Sequence, residues 1–457
     1  SIYLSIYLSI YLPIYLSTYP SLTYSLSLSL SLSLSRTHTT RTTRTPRIIS
    51  KSPFFDRTCA AGVREFTVYN RMLMPLMFDS DREYVALTRD VAIWDVAAER
   101  QVQLKGPDAH KLAQLITCRD ISELKVGKGV YAIMTDQDGY VINDPVLQKI
   151  DDETYWFSIA DSDVRLWAKG VACAQGYDVE VTEPDVSPLA LQGPKSTALV
   201  KELYGDEALI DALAHFDFVR DPVRTGIVNP TRPDLPPIPT LLARSGWSPE
   251  LGYEIYLEDG TRGNELWDMC MALGKKHNIF PGAPNQQRRV EAGMLSFGGD
   301  TLDDTNALEL GLPKRFVNPD MGPDFIGKEA LQKIRANGVE RTFCGFWFLD
   351  GALEASEYMR GKHLPIYGTI PGEDLALKEE FKDGHELPQI GVVTVIAWSP
   401  KFEKHIGLGY IDKRLEKSNA VVGVETSSGH VLAAKVSSLP FKVGKAAGGR
   451  TMSRKEV

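Results

Sequence analysis

An aspartate in an apolar run is the first feature of this sequence that could do chemistry. In "GYVINDPVLQKI" (139–150), Asp144 sits among Val141, Ile142, Val146 and Leu147, and Pro145 follows it. A carboxylate in such surroundings is costly unless something pairs with it. Proline cannot donate to a strand ladder, so Pro145 marks an edge or a bulge. The pattern therefore aims Asp144 into a cavity, as a candidate catalytic carboxylate. The alternative is a buried aspartate that caps backbone N–H groups in the bulge.

A second carboxylate lies in "LGYEIYLED" (251–259). Side chains alternate along a strand, so Tyr253, Ile255 and Leu257 share one face and Glu254 and Tyr256 the other. Glu254 can accept paired N–H bonds from a planar ligand, with Tyr256 beside it; the plain alternative is a strand with one wet face. Other candidates are weaker by themselves. Tyr131 lies thirteen residues before Asp144 and would sit on the partner strand of a hairpin turning at Asp138–Gly139. Trp247 in "SGWSPELGYE" could face a cation through its ring or simply pack. Arg289 in "RRVEAG" could form a surface ion pair or present a guanidinium fork to an anion.

Strands and helices must hold these groups. The spacing predicts a helix then a strand over 81–96, a half-buried strand over 98–106 and a helix over 106–117. The hairpin follows, then a strand at 154–160 and a helix at 161–176 opened by acidic cap residues. A similar pattern recurs over 187–280, which is α+β logic without the regular alternation of a doubly wound sheet. Residues 221–241 carry six prolines and read as a loop insertion. A helix is expected over 285–298 and another in "GKEALQKIRANG". From Thr342 the chain turns β-rich, with short strands in "FCGFWFLDG", "GVVTVIAWSP", "HIGLGYI", "AVVGVET" and "VLAAKV" that suggest a small barrel or sandwich. Residues 361–389 interrupt them as a polar loop.

The net charge of −8 argues against a nucleic-acid binder. The five cysteines are scattered without a CxxC, and the eight histidines form no metal-binding spacing, so neither a disulfide framework nor a metal is expected. Residues 1–35 repeat Ser-Ile-Tyr-Leu and then Ser-Leu, as a translated microsatellite would. With no initiating methionine, residues 1–51 are expected to be a non-native leader outside the fold. Residues 36–51 also hold Arg36, Arg41, Arg44, Arg47 and Lys51 with no acid, the composition of a transit peptide. A cytoplasmic location is expected, with a mitochondrial one as the alternative.

Several motifs occur together in order: "SPLALQGPKS" (187–196), "GYEIYLED" (252–259), "RRVEAGMLSFGGD" (288–300) and "GVVTVIAWSPKFEKHIGLGYI" (391–411). Over residues 54–450 the chain resembles the folate-dependent aminomethyltransferase family typified by the glycine-cleavage T-protein. "FTVYNRMLMP", "WDVAAERQVQLKG", "INDPVL" and "TYWFSIADSDV" resemble its dimethylsulfoniopropionate (DMSP) demethylase branch, where Asn143-Asp144 replaces the paired aspartates of T-proteins. Trp247 stands where those demethylases usually carry tyrosine.

The resemblance implies an α+β fold with three domains in a cloverleaf, two mixed folate-binding domains and a C-terminal β-barrel. The boundaries expected are 52–340 for the interleaved folate-binding pair, 341–450 for the barrel and 451–457 for a tail. It implies tetrahydrofolate as cofactor in a central channel. Asp144 would be catalytic, Tyr131, Glu254, Tyr256 and Arg289 would bind folate, and Ser158 and Trp247 would meet the donor. The implied reaction moves methyl from a sulfonium to N5 of tetrahydrofolate. The implied partners are the methyl donor and folate, with no nucleic acid or membrane, and a homodimer is allowed. An aminomethyltransferase served by a lipoyl carrier protein, a demethylase of another methylated amine, and a non-catalytic folate binder stay open.

Overall fold

The computed structural model describes residues 49–349, 363–369 and 387–441. Residues 1–48 of the expected leader, and most of the polar stretch within 361–389, therefore lie outside the described residues; Ser50, placed in the leader by the sequence, instead joins the fold, its N–H bonding the Arg71 carbonyl at 2.8 Å and its carbonyl accepting from Leu73 at 2.9 Å. The described residues belong to one compact unit built on three large sheets.

The first is five-stranded. It runs in the order Glu180–Thr182, Gln101–Lys105, Thr154–Ser158, Val146–Lys149, Gly129–Tyr131, all antiparallel. The helices Ala109–Leu115 and Val164–Gln175 supply Leu112, Ala113, Val164 and Ala168 to the core beneath it. The second is six-stranded, in the order Phe218–Val219, Thr240–Ala243, Gly252–Leu257, Ser187–Gln192, Val91–Asp95, Ile279–Gly282. Its last pair is parallel. The expected alternation in the glutamate strand holds, because Tyr253, Ile255 and Leu257 join the core with Leu266 and Trp267 of helix Gly263–Gly274. The other face is not wet: all six residues of Gly252–Leu257 are buried. Full burial of each such leucine or isoleucine contributes about 1.5–3 kcal/mol.

The third sheet closes on itself. Strands Arg341–Phe348, Lys404–Asp412, Gln389–Ser399, Leu364–Tyr367, Val421–Glu425 and Val431–Ser437 form a barrel around Phe346, Ile366, Val393, Ile411 and Val424. Two expectations change here. Leu364–Tyr367, within the stretch read as a polar loop, is a barrel strand that pairs with Val392–Val393 and Gly423–Val424. The helix expected over 285–298 spans only Gln286–Ala292. Gly293 takes φ 68°, a left-handed cap that suits glycine and stops the helix. No described helix is long and apolar enough to cross a membrane.

Candidate active site

The three sheets meet around a cavity of about 750 Å³, a size suited to a cofactor-sized ligand. Asp144, Tyr131, Ser158, Trp247 and Glu254 all line it. Tyr256 and Arg289 do not.

The hairpin explains Asp144. Its outer part pairs Met134–Thr135 with Val141–Asn143, and its inner part pairs Gly129–Tyr131 with Val146–Lys149. The ladder breaks at Asp144-Pro145, as the proline requires. Pro145 still accepts a bond from the Ala132 N–H at 2.9 Å, so the break is narrow and the strands continue beyond it. Asp144 receives the Tyr131 hydroxyl on Oδ2 at 2.9 Å. Burial pushes its carboxyl up to about 7, against the lowering effect of the Tyr131 bond and its own backbone N–H. The Tyr131 phenol is held well above its ordinary value by burial and by the adjacent carboxylate. Neighbouring Asn143 is fully buried and serves structure: its amide bonds the N–H and carbonyl of Ala160 and the Ser162 hydroxyl.

Glu254 is built differently. Ser245 Oγ donates a short bond to its Oε2, and the Tyr256 hydroxyl donates to the same oxygen at 3.2 Å. Burial still raises its carboxyl above the ordinary range. The turn carrying Ser245 and Trp247 is fixed by Gln192, which donates to the Ser245 carbonyl at 3.1 Å and accepts from Ser248 at 2.8 Å. A Cβ on Gly246 or Gly252 would fall within about 2.2 Å of the Gln192 amide, so both positions need glycine. Tyr256 is therefore a support for Glu254, fully buried behind it, and its phenol also engages Ser158. Ser158 accepts from Gln101 Nε2 at 3.1 Å.

Arg289 departs most from expectation. It is 2 % exposed, and its guanidinium is committed to Asp300 at 2.6 Å, the Met294 carbonyl at 3.0 Å and Gln286 at 2.7 Å. Its Nε and Nη1 are thereby occupied, and Arg289 does not line the cavity. It braces the wall instead. Asp300 also accepts from Thr394 Oγ1 of the barrel at 2.6 Å and from the Ser296 N–H, while the Arg289 guanidinium lies 5.6 Å from the Trp247 ring. Trp247 is half-buried, and its indole N–H is tied to the Leu295 carbonyl at 3.2 Å.

Residues outside the sequence expectations complete the cavity. Glu99, Tyr69 and Met74 line it, as do Phe216, Phe316 and Lys417. Phe216 holds φ 67°, an unusual backbone state for a bulky side chain. Phe316 meets the Tyr131 ring edge-on at 5.8 Å and carries the guanidiniums of Arg119 and Arg315 at 5.3 and 4.7 Å. Among the described residues no group of three or more His, Cys, Asp or Glu is arranged to hold a metal ion.

Comparison with known proteins gives a consistent picture. The family model for the GCVT N-terminal domain matches residues 54–320, and that for the glycine cleavage T-protein C-terminal barrel domain matches residues 370–442. A dimethylsulfoniopropionate demethylase, DmdA, of Ruegeria pomeroyi is 35% identical over 384 residues, covering 84% of this chain and 95% of that protein. An aminomethyltransferase of Oceanobacillus iheyensis is 27% identical over 86% of this chain and 97% of its own. The crystal structure of the glycine cleavage system aminomethyltransferase T from Bartonella henselae superposes with a TM-score of 0.69 at 20% identity, covering 86% of this chain and 98% of that one, which shows the shared fold.

Proposed function

The chain belongs to the glycine cleavage T-protein family of folate-dependent transferases, and from that premise we propose that it moves a methyl group from DMSP to N5 of tetrahydrofolate, releasing methylmercaptopropionate. The observation that carries this reading is the 35% identity to a DMSP demethylase over 95% of that protein. The carboxylate-lined cavity supports it.

Tetrahydrofolate is the cofactor, and the cavity has the room and the acceptors for it: about 750 Å³, with Asp144 and Glu254 on its wall. It supplies the nucleophilic nitrogen that takes the methyl group. Glu254, whose carboxylate Ser245 and Tyr256 lock from behind, would hold the pterin by accepting its N–H bonds. Asp144, fixed by Tyr131, would orient the folate and offer a carboxylate to positive charge at its reacting nitrogen. A sulfonium is already a good leaving group, so no covalent nucleophile is required of the protein. Positioning by a shaped cavity can supply up to about 7–11 kcal/mol of the barrier. Ser158 and Trp247 belong to the donor end in this reading, and a cytoplasmic setting suits such soluble reactants.

The test is product identity. The protein is incubated with tetrahydrofolate and DMSP, methylated amines, or an aminomethyl-loaded lipoyl carrier. 5-Methyltetrahydrofolate from DMSP supports the reading. Formation of 5,10-methylenetetrahydrofolate from the carrier alone overturns it in favour of aminomethyl transfer, and folate binding with no product points to a non-catalytic folate protein.

A further inference from the structure

We propose that Glu99 is the counter-charge that selects a positively charged methyl donor, a specificity-determining residue for the reaction above, on whose reading this inference rests. The position follows from the chain path. Glu99 lies in the turn that leaves strand Val91–Asp95 of the six-stranded sheet and enters strand Gln101–Lys105 of the five-stranded one. The backbone there is fixed. Glu99 N–H bonds the Val96 carbonyl at 2.8 Å, and Gln101 Nε2 bonds the Glu99 carbonyl at 2.8 Å while also holding Ser158. The side chain is thereby directed by a rigid junction and lines the cavity.

The carboxylate is unmatched. No described residue forms a hydrogen bond or an ion pair with it. Other enclosed acids in this protein are fully served. Glu83 takes three backbone N–H groups, Glu291 takes Tyr84, Arg288 and Ser399, and Glu309 takes Arg341. Around Glu99 the acting charges are only Glu254 and Asp144, both of its own sign, and burial together with them drives its carboxyl well upward. A half-buried carboxylate with like-charged neighbours and no protein donor is left for water or a ligand in the cavity to serve. These acids do not form a metal-ligand group. Tyr69, whose phenol feels the Glu99 charge, and Met74 also line the cavity, soft surfaces that suit methyl groups around a cationic centre. The occupant that fits is an alkyl onium, with its positive atom facing Glu99.

The experiment uses the full chain with Glu99→Gln, which keeps shape and removes charge. Methyl transfer from DMSP and inhibition by 4-methylpentanoate, which replaces the sulfonium by an uncharged carbon, are measured beside tetrahydrofolate affinity. The expected result is a DMSP KM raised roughly 10- to 100-fold, with folate Kd within about twofold of wild type. The wild-type preference for DMSP over 4-methylpentanoate should shrink by a similar factor. An unchanged KM, or a folate Kd that weakens in step with it, overturns the inference. Should wild type not turn over DMSP at all, the functional reading fails separately, and binding of trimethylsulfonium decides this one: Glu99-dependent binding upholds it and Glu99-independent binding overturns it.

Discussion

Two acidic clusters lie within this protein, and they are built on opposite terms. Where helix Gln286–Ala292 meets the barrel, every acid is met: Asp300 by Arg289, Thr394 and a backbone N–H, Glu291 by Arg288, Tyr84 and Ser399. On the cavity wall, Asp144, Glu254 and Glu99 share space with phenols and hydroxyls, and no cation lies among the groups that act on them. The first arrangement balances its charges internally and holds the lobes together. The second leaves its negative charge for a ligand. Burial alone therefore does not separate structural from functional acids; the identity of their partners does.

The largest expected effect breaks the matched cluster. Asp300→Leu strands the Arg289 guanidinium in a site that is 2 % exposed, and loss of one partner of a buried pair costs about 3–5 kcal/mol. Chemical denaturation should show that loss in the unfolding free energy. Next comes Asp144→Asn, which keeps shape and removes the charge. Its turnover should fall roughly 10²- to 10³-fold, while folate Kd from equilibrium titration changes little. Equal loss in both would make Asp144 structural. Glu254→Gln should do the reverse, weakening folate roughly 10- to 100-fold through loss of a charge-assisted pair, with a smaller change in kcat once folate saturates.

The smallest effect is a pH slope. The Asp144 carboxyl sits at about 7 in the folded protein against an ordinary value of 3.8. The folded state thus holds this proton more tightly than the unfolded chain. Its stability contribution falls as pH rises from about 4 and the cost is complete above about 7. Wild type should lose more melting temperature between about pH 5 and 8 than Asp144→Asn does. Identical slopes would remove Asp144 from the titrating set. Asp95, also raised to about 7 by burial, contributes equally to both proteins.

The sequence made some of this legible for local reasons. Asp144 stood out because an acid and a proline interrupt one apolar run, and Glu254 because strand alternation put it opposite Tyr253 and Ile255. Both signals are short-range. Arg289 gave no sign of its setting, because its partner Asp300 lies eleven residues on, past a glycine-rich turn. Glu99 gave no signal, since it reads as one of the polar residues of the half-buried strand expected over 98–106. It is enclosed only because two sheets converge on that junction. Strand Leu364–Tyr367 was hidden likewise: four residues containing Pro365 gain their pairing from barrel closure, where Ile366 meets Val424.

The cavity wall takes Glu99 and Glu254 from the six-stranded region, Asp144 and Ser158 from the five-stranded one, and Phe343 and Cys344 from the barrel. A molecule filling that space touches all three at once. Each lobe has its own core, and the cavity lies where they meet. Filling the cavity adds the same binding free energy against any lobe's departure. Occupancy should therefore raise the melting temperature and slow amide exchange in barrel strands far from any reacting atom.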